Sequence, residues 1–265
     1  MSYETKTVSV RDGLFQVEMR RGGKGDPLVY LHGAGGQDAW DPFFDLLAER
    51  YTVYQPFSPG WRGSTGLDHL DDVHDMALFY LDLFDALGLA SVNLVGHSLG
   101  GMFAAEIAAM DAAYVRKLVL CAPAGLWLDE APVPDFYAMT QDELMAALYC
   151  VPPAIAPQDP AKATPEQRQA MARAAIEQAK ALAASTKFLW PIWDKGLKKR
   201  LHRIKAPALI VWGDRDGLNP PVYGPEFEKL IPGSRLVVIP GTAHLPMAER
   251  PEEFVRVVRE FLEAP

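Results

Sequence analysis

The chain has 265 residues, 49% hydrophobic and 23% charged, the composition of a folded globular protein able to bury a sizeable core. Its formal net charge of −8 argues against long-range attraction to nucleic acid or to an anionic membrane surface. The polar start "MSYETKTVSVRDG" has no signal-peptide core, and the longest nearly apolar run, "LVLCAPAGLWL", falls short of the about 20 residues that span a bilayer. No membrane insertion is therefore expected. The two cysteines, Cys121 and Cys150, lie in unlike contexts, so no disulfide framework is expected and a reducing, cytoplasmic setting fits.

In chain order, "KTVSV" and "LFQVEMR" alternate about "RDG" and predict a hairpin. "PLVYL" and "YTVYQPF" predict strands that end at "HGAGG" and "SPGWRGSTG". From Asp72 to Leu87, Val73, Met76, Ala77, Tyr80, Leu81, Phe84 and Leu87 recur at helical spacing, with Gly88 as a stop. "SVNLV" predicts a strand, Leu99–Met110 a helix and "VRKLVLCAP" a strand. Further on, "APALIVWGDRD" and "SRLVVIPG" predict strands, and "PEFEKLI" and "PEEFVRVVREFLE" helices with Pro in the first turn. Apolar strands alternating with amphipathic helices imply a parallel sheet covered on both faces.

Residues from about 125 to 195 break this alternation. They are rich in Pro and Ala and hold no strand-like run. "TQDE" and "TPEQ" fit the capping box, with Thr140 and Thr164 as N-caps and Glu143 and Gln167 at the third helical position. The segment reads as a helical insertion in an α/β core.

The stretch "VNLVGHSLGGM" matches G-x-S-x-G at Gly96–Gly100, with a predicted strand before it and a helix after it. A serine at such a turn takes a strained backbone, and glycines on either side let strand and helix approach. The helix N-terminus also directs N–H groups at developing negative charge. A serine hydroxyl is a weak nucleophile and needs a base held by an acid. His244, in "IPGTAHLPMAERP", follows the last strand and so shares the C-terminal sheet edge with Ser98. "VWGDRDGLNP" offers Asp214 and Asp216 on the same edge. His32 reads as a structural residue of its loop, and His97 as a packing residue. "DHLDDVHDM", with His69 and His74, matches no metal-ligand spacing and reads as the solvated start of a helix, so no metal site is expected. "HGAGG" lacks the Lys of a phosphate loop.

Taken together, "LHGAGG", "GHSLGG", "WGDRDGLNP" and "GTAHLPMAERP", in this order, resemble the successive signatures of the α/β-hydrolase superfamily. The resemblance covers nearly the whole chain outside the insertion. It implies a mostly parallel eight-stranded sheet with helices on both faces and an inserted helical cap. The core is then 1–124 and 196–265, and the cap 125–195. It assigns Ser98 as nucleophile, His244 as base and Asp216 as acid, with Asp214 a turn residue. Asp129 or Glu130 would supply the acid in the branch that carries it after an earlier strand. The oxyanion hole falls on the backbone N–H groups of Ala34 and Leu99. No cofactor is implied.

By the same resemblance, a few bulky apolar residues of the cap line the pocket. Phe136, Tyr137, Met145, Phe188 and Trp190 are the candidates, joined by Trp61 and Met102 from the core. Arg62 reads as a surface residue with a second reading as a carboxylate ligand. An apolar, aromatic wall suits a hydrophobic acyl or aryl ester as the small-molecule substrate. The runner-up reaction is carbon–carbon cleavage of a dienoic keto acid, as in ring-fission product hydrolases. Perhydrolase-like relatives share the triad, whereas Ser98 argues against the epoxide hydrolase and dehalogenase branches, which place Asp there. A rival of another class is a ligand receptor on the same fold with slow turnover. Homo-oligomerisation stays open.

Overall fold

A computed structural model describes residues 2–37, 39–153 and 163–265. Strands β1 (Tyr3–Val10) and β2 (Phe15–Gly22) form the expected antiparallel hairpin. β3 (Asp26–Leu31), β4 (Tyr51–Pro56), β5 (Val92–His97), β6 (Val115–Cys121), β7 (Ala208–Gly213) and β8 (Arg235–Ile239) run parallel to their neighbours. β2 joins them antiparallel to β4, which completes an eight-stranded sheet in the order β1-β2-β4-β3-β5-β6-β7-β8. This is the mostly parallel sheet that the sequence implied.

Alternation along the parallel strands divides the core into two layers. Val29, Leu31, Leu118, Leu120, Ile210 and Trp212 face α2 (Val73–Leu87), α3 (Leu99–Met110) and α6 (Tyr223–Leu230). Leu28, Tyr30, Val119, Cys121, Leu209 and Val211 face α1 (Pro42–Ala48) and α8 (Pro251–Glu263). β5 and β7 are thus buried on both faces along their whole length, and β3 and β6 over their C-terminal parts, which is why these stretches read as continuous apolar runs. The Asp72 carboxylate accepts from the His74 and Asp75 N–H groups and caps α2, and Gly88 closes that helix at φ 66°.

Two helices were not anticipated. α1 has seven residues, too short for helical periodicity to stand out, yet Pro42 opens it and Phe43, Phe44 and Leu47 bury one face. α7 (Pro246–Glu249) interrupts the loop expected to run from His244 to the last helix.

Between β6 and β7 lie α4 (Gln141–Leu148) and the 25-residue α5 (Pro165–Leu189). Both begin with the reciprocal capping boxes read from the sequence, on Thr140–Glu143 and Thr164–Gln167. Among the described residues, no helix is long and apolar enough to cross a membrane.

Candidate active site

β5 ends one residue before Ser98, and α3 begins one residue after it. Ser98 stands at φ 54° and ψ −116°, a region that non-glycine residues rarely occupy. Its backbone is fixed on three sides. Ser98 N–H donates to the Cys121 carbonyl (2.9 Å), and the Ser98 carbonyl accepts from Met102 N–H and Ala124 N–H, both at 3.0 Å. The glycines follow from close packing. A Cβ on Gly96 would meet the Gly100 carbonyl oxygen and lie 2.8 Å from the Ala104 Cβ. One on Gly100 would collide with the Leu31 carbonyl and lie 2.5 Å from that of His32. These obstacles are backbone atoms and an alanine methyl, none of which can rotate away. Gly100→Ala is therefore expected to destabilise the fold by about 1–3 kcal/mol or more, read as a lower urea midpoint.

Beyond β8, His244 is 2% exposed. Its Nδ1 lies 2.9 Å from Asp216 Oδ2, in the loop after β7. The other Asp216 oxygen accepts from Leu218 N–H (2.9 Å) and Asn219 N–H (2.8 Å). With the His244 Nδ1 proton donated to Asp216, Nε2 keeps a free lone pair. Asp214 is exposed and accepts from Gly241 N–H, as a turn residue would. Asp129 and Glu130 are exposed, and the Asp129 carboxylate accepts from Trp127 Nε1–H. The structure thus pairs His244 with Asp216.

The loop after β3 packs directly against the serine turn. A Cβ on Gly33 would lie 3.3 Å from the Ser98 Cβ and 3.0 Å from His97 Nδ1. Ala34 sits in this loop, and Leu99 is the first residue of α3, whose first-turn N–H groups lack intrahelical acceptors. His32 is structural: it accepts from Ser58 N–H at Nε2 (3.1 Å), which leaves Nδ1 to donate to the Gly33 carbonyl (2.9 Å).

Two cavities meet at Ser98. The larger, of about 470 Å³, is walled by the loop 33–37, His244, Phe136, Met145 and Leu182. The narrower, of about 30 Å³, has Ser98, Phe136, Leu189, Lys195 and Tyr223 in its wall. A hollow of about 610 Å³ beside Tyr3, Arg21 and Glu49 has none of Ser98, Asp216 and His244 in its wall.

Of the pocket candidates, the structure brings Phe136 and Met145 to these cavities. The other five are in neither wall. Trp61 is fully buried, and its Nε1–H donates to the Ala34 carbonyl (2.9 Å), so it braces the loop from behind. Met102 is buried under Gly125. Phe188 packs edge-on against Phe103. The Tyr137 hydroxyl bonds Ser185 (2.7 Å), and Trp190 is 54% exposed. Arg62 pairs with Glu18 at 2.9 Å, consistent with the surface reading.

Several positioning residues escaped sequence reasoning. His97 Nε2–H donates to the His244 carbonyl (3.0 Å). Burial and the neighbouring His244 hold the His97 imidazole well below its usual pKa, so it is neutral. At the end of α4, the Ala147 carbonyl accepts from Gly217 N–H and the Leu148 carbonyl from His244 N–H, both at 3.1 Å. Glu249 accepts from Cys150 N–H (2.8 Å) and Ala243 N–H (2.6 Å). The inserted segment is thereby tied to both the acid loop and the base loop. Backbone acceptors carry no sequence signature, and Glu249 looks like any helix-terminal acid. Both cysteines are free, and among the described residues no group of three potential ligands could hold a metal ion.

The comparisons agree with this architecture. The chain is 28% identical over 254 residues to a pimeloyl-[acyl-carrier protein] methyl ester esterase of Photobacterium profundum, covering 91% of this chain and 96% of that protein. It is 26% identical over 268 residues to a 2-hydroxy-6-oxo-6-phenylhexa-2,4-dienoate hydrolase of Burkholderia cepacia, covering 94% and 91%. The solved structure of a membrane phospholipase A, described as a bacterial virulence factor, superposes with a TM-score of 0.83 at 25% identity, over 98% of this chain and 86% of that one. The sequence model of the Alpha/beta hydrolase family matches residues 28–257. With the sheet order and the strand–serine–helix turn already in place, the chain belongs to the α/β-hydrolase family and is a hydrolase.

Proposed function

We propose that the protein hydrolyses a carboxylic ester bearing a hydrophobic acyl or aryl group, through Ser98, His244 and Asp216 and an acyl-enzyme. One observation carries this reading. His244 is bonded to Asp216 at 2.9 Å and shares one cavity wall with Ser98. Ser98 Oγ attacks the acyl carbon as its proton passes to His244 Nε2. Asp216 holds the imidazole in the required tautomer and stabilises the imidazolium. The N–H groups of Ala34 and Leu99 receive the oxyanion, and His244 then protonates the leaving alcohol. Water, deprotonated by His244, releases the acid. No cofactor is required, because the chain supplies nucleophile, base, acid and electrophile. The described part of the segment between β6 and β7 would act as a cap, with Phe136, Met145 and Leu182 in the wall of the larger cavity that Ser98 lines.

Carbon–carbon cleavage is the second reading, favoured by the similarity to the dienoate hydrolase. A panel of p-nitrophenyl esters of graded acyl length, aryl esters and a ring-fission dienoate tests both. Ester turnover on the order of 1–1000 per second is expected. A dienoate rate far above every ester would transfer the assignment to the second reading. A stall after one equivalent of product would mark a receptor.

A further inference from the structure

The narrow cavity differs from the larger one in kind as well as size. At about 30 Å³ it has room for only a terminal group of a few heavy atoms. Most of its wall is apolar, including Leu126, Val133, Leu189 and Ile192. Of its polar side chains, Asn219 and Tyr223 are engaged within the protein, and Trp193 is 59% exposed. Asn219 Nδ2–H donates to the Ala122 carbonyl (2.8 Å). The Tyr223 hydroxyl donates to the Ala131 carbonyl (3.0 Å) and accepts from Leu128 N–H (2.9 Å). Ser98 is the nucleophile. The remaining group is the half-buried Lys195, which forms no ion pair with any described residue. The adjacent carboxylate does not neutralise it: Asp194 pairs with Lys198 at 2.5 Å and accepts from Gly196 N–H (2.7 Å). Burial lowers the Lys195 ammonium below the usual lysine pKa, as expected for a cation drawn from water with no anion beside it.

A cation in an apolar wall beside the nucleophile is costly unless an anion arrives with the ligand. The chamber is too small for a bulky anion. His244, which protonates the leaving group, lines the larger cavity and not this one. The leaving alcohol therefore lies on the His244 side, and the acyl arm enters the narrow chamber. We propose that Lys195 binds a carboxylate carried by the acyl arm, so that the preferred substrates are half-esters of short dicarboxylic acids whose apolar alcohol fills the larger cavity. This inference rests on the esterase reading and refines its substrate class.

The test uses monobenzyl glutarate and benzyl valerate, which match in acyl length and differ in the terminal carboxylate. The quantity read is the ratio of kcat/KM, anionic over neutral. Lys195→Met is expected to lower that ratio tenfold or more relative to wild type, the scale of a lost charge-assisted hydrogen bond. Lys195→Arg, which keeps the charge, should hold it within about threefold. An equal ratio in wild type and Lys195→Met overturns the assignment. Calorimetric titration of monobenzyl glutarate into Ser98→Ala protein, with and without Lys195→Met, reads the same contact without turnover. A tenfold weaker Kd in the double variant supports the proposal, and equal affinity or no binding overturns it. If neither ester is hydrolysed, the esterase reading fails, and the titration still decides the role of Lys195.

Discussion

Replacing Ser98 by alanine is expected to lower kcat on p-nitrophenyl esters by about 10⁴–10⁶-fold, with the protein still folded. The size follows from the proposed role: without Oγ the proposed acyl-enzyme could not form, and the remaining groups could only orient water. The structure also says why the variant should stay folded. The strain at φ 54° belongs to the backbone, and alanine keeps the same Cβ, so it meets the same neighbours as serine. Three backbone hydrogen bonds, to Cys121, Met102 and Ala124, hold the turn whatever the side chain. A thermal midpoint within a few degrees of wild type, together with burst kinetics lost on the stopped-flow timescale, would complete the result. Activity retained in a folded Ser98→Ala protein would remove Ser98 as nucleophile.

Asp216→Asn is expected to lower kcat by about 10⁴-fold, whereas Asp214→Asn should stay within a few-fold of wild type. The two residues are two positions apart on one loop, and only their surroundings separate them. Asp216 is 4% exposed and bonded to His244 and to two backbone N–H groups. An amide there can still accept from Leu218 and Asn219 through its carbonyl, so the loop keeps its shape. Its NH₂ then faces His244 Nδ1 and favours the tautomer with the proton on Nε2, which cannot take the Ser98 proton. Asp214 lies in solvent and tethers Gly241 N–H. Kinetics of both variants on one ester decide the matter, and the reverse ranking would move the acid to Asp214.

Amino-acid order alone carried the parallel sheet, most helix starts and the pair His244 and Asp216 that the structure joins by a hydrogen bond at the sheet edge. The reason is local. Strand apolarity, capping boxes at Thr140 and Thr164, Gly88, and the glycines around Ser98 each answer a short-range steric or hydrogen-bonding demand. Gly100, for instance, is required because the Leu31 and His32 carbonyls occupy the space of a side chain. The short helix α1 escaped because seven residues are too few for a 3.6-residue period to emerge.

What only the tertiary structure decided depends on contacts between distant segments. Trp61, an aromatic beside a glycine loop, reads as pocket wall, whereas the bond to the Ala34 carbonyl, 27 residues away, makes it a brace. Phe188 and Met102 turned into the core rather than the cavity because hydrophobicity does not say which apolar surface a side chain meets. The docking of α4 on the Asp216 and His244 loops runs through backbone carbonyls, which any residue possesses. Lys195 carries no local signal in the sequence, and the fold places it in the wall of a chamber that Ser98 also lines, with no ion pair to any described residue.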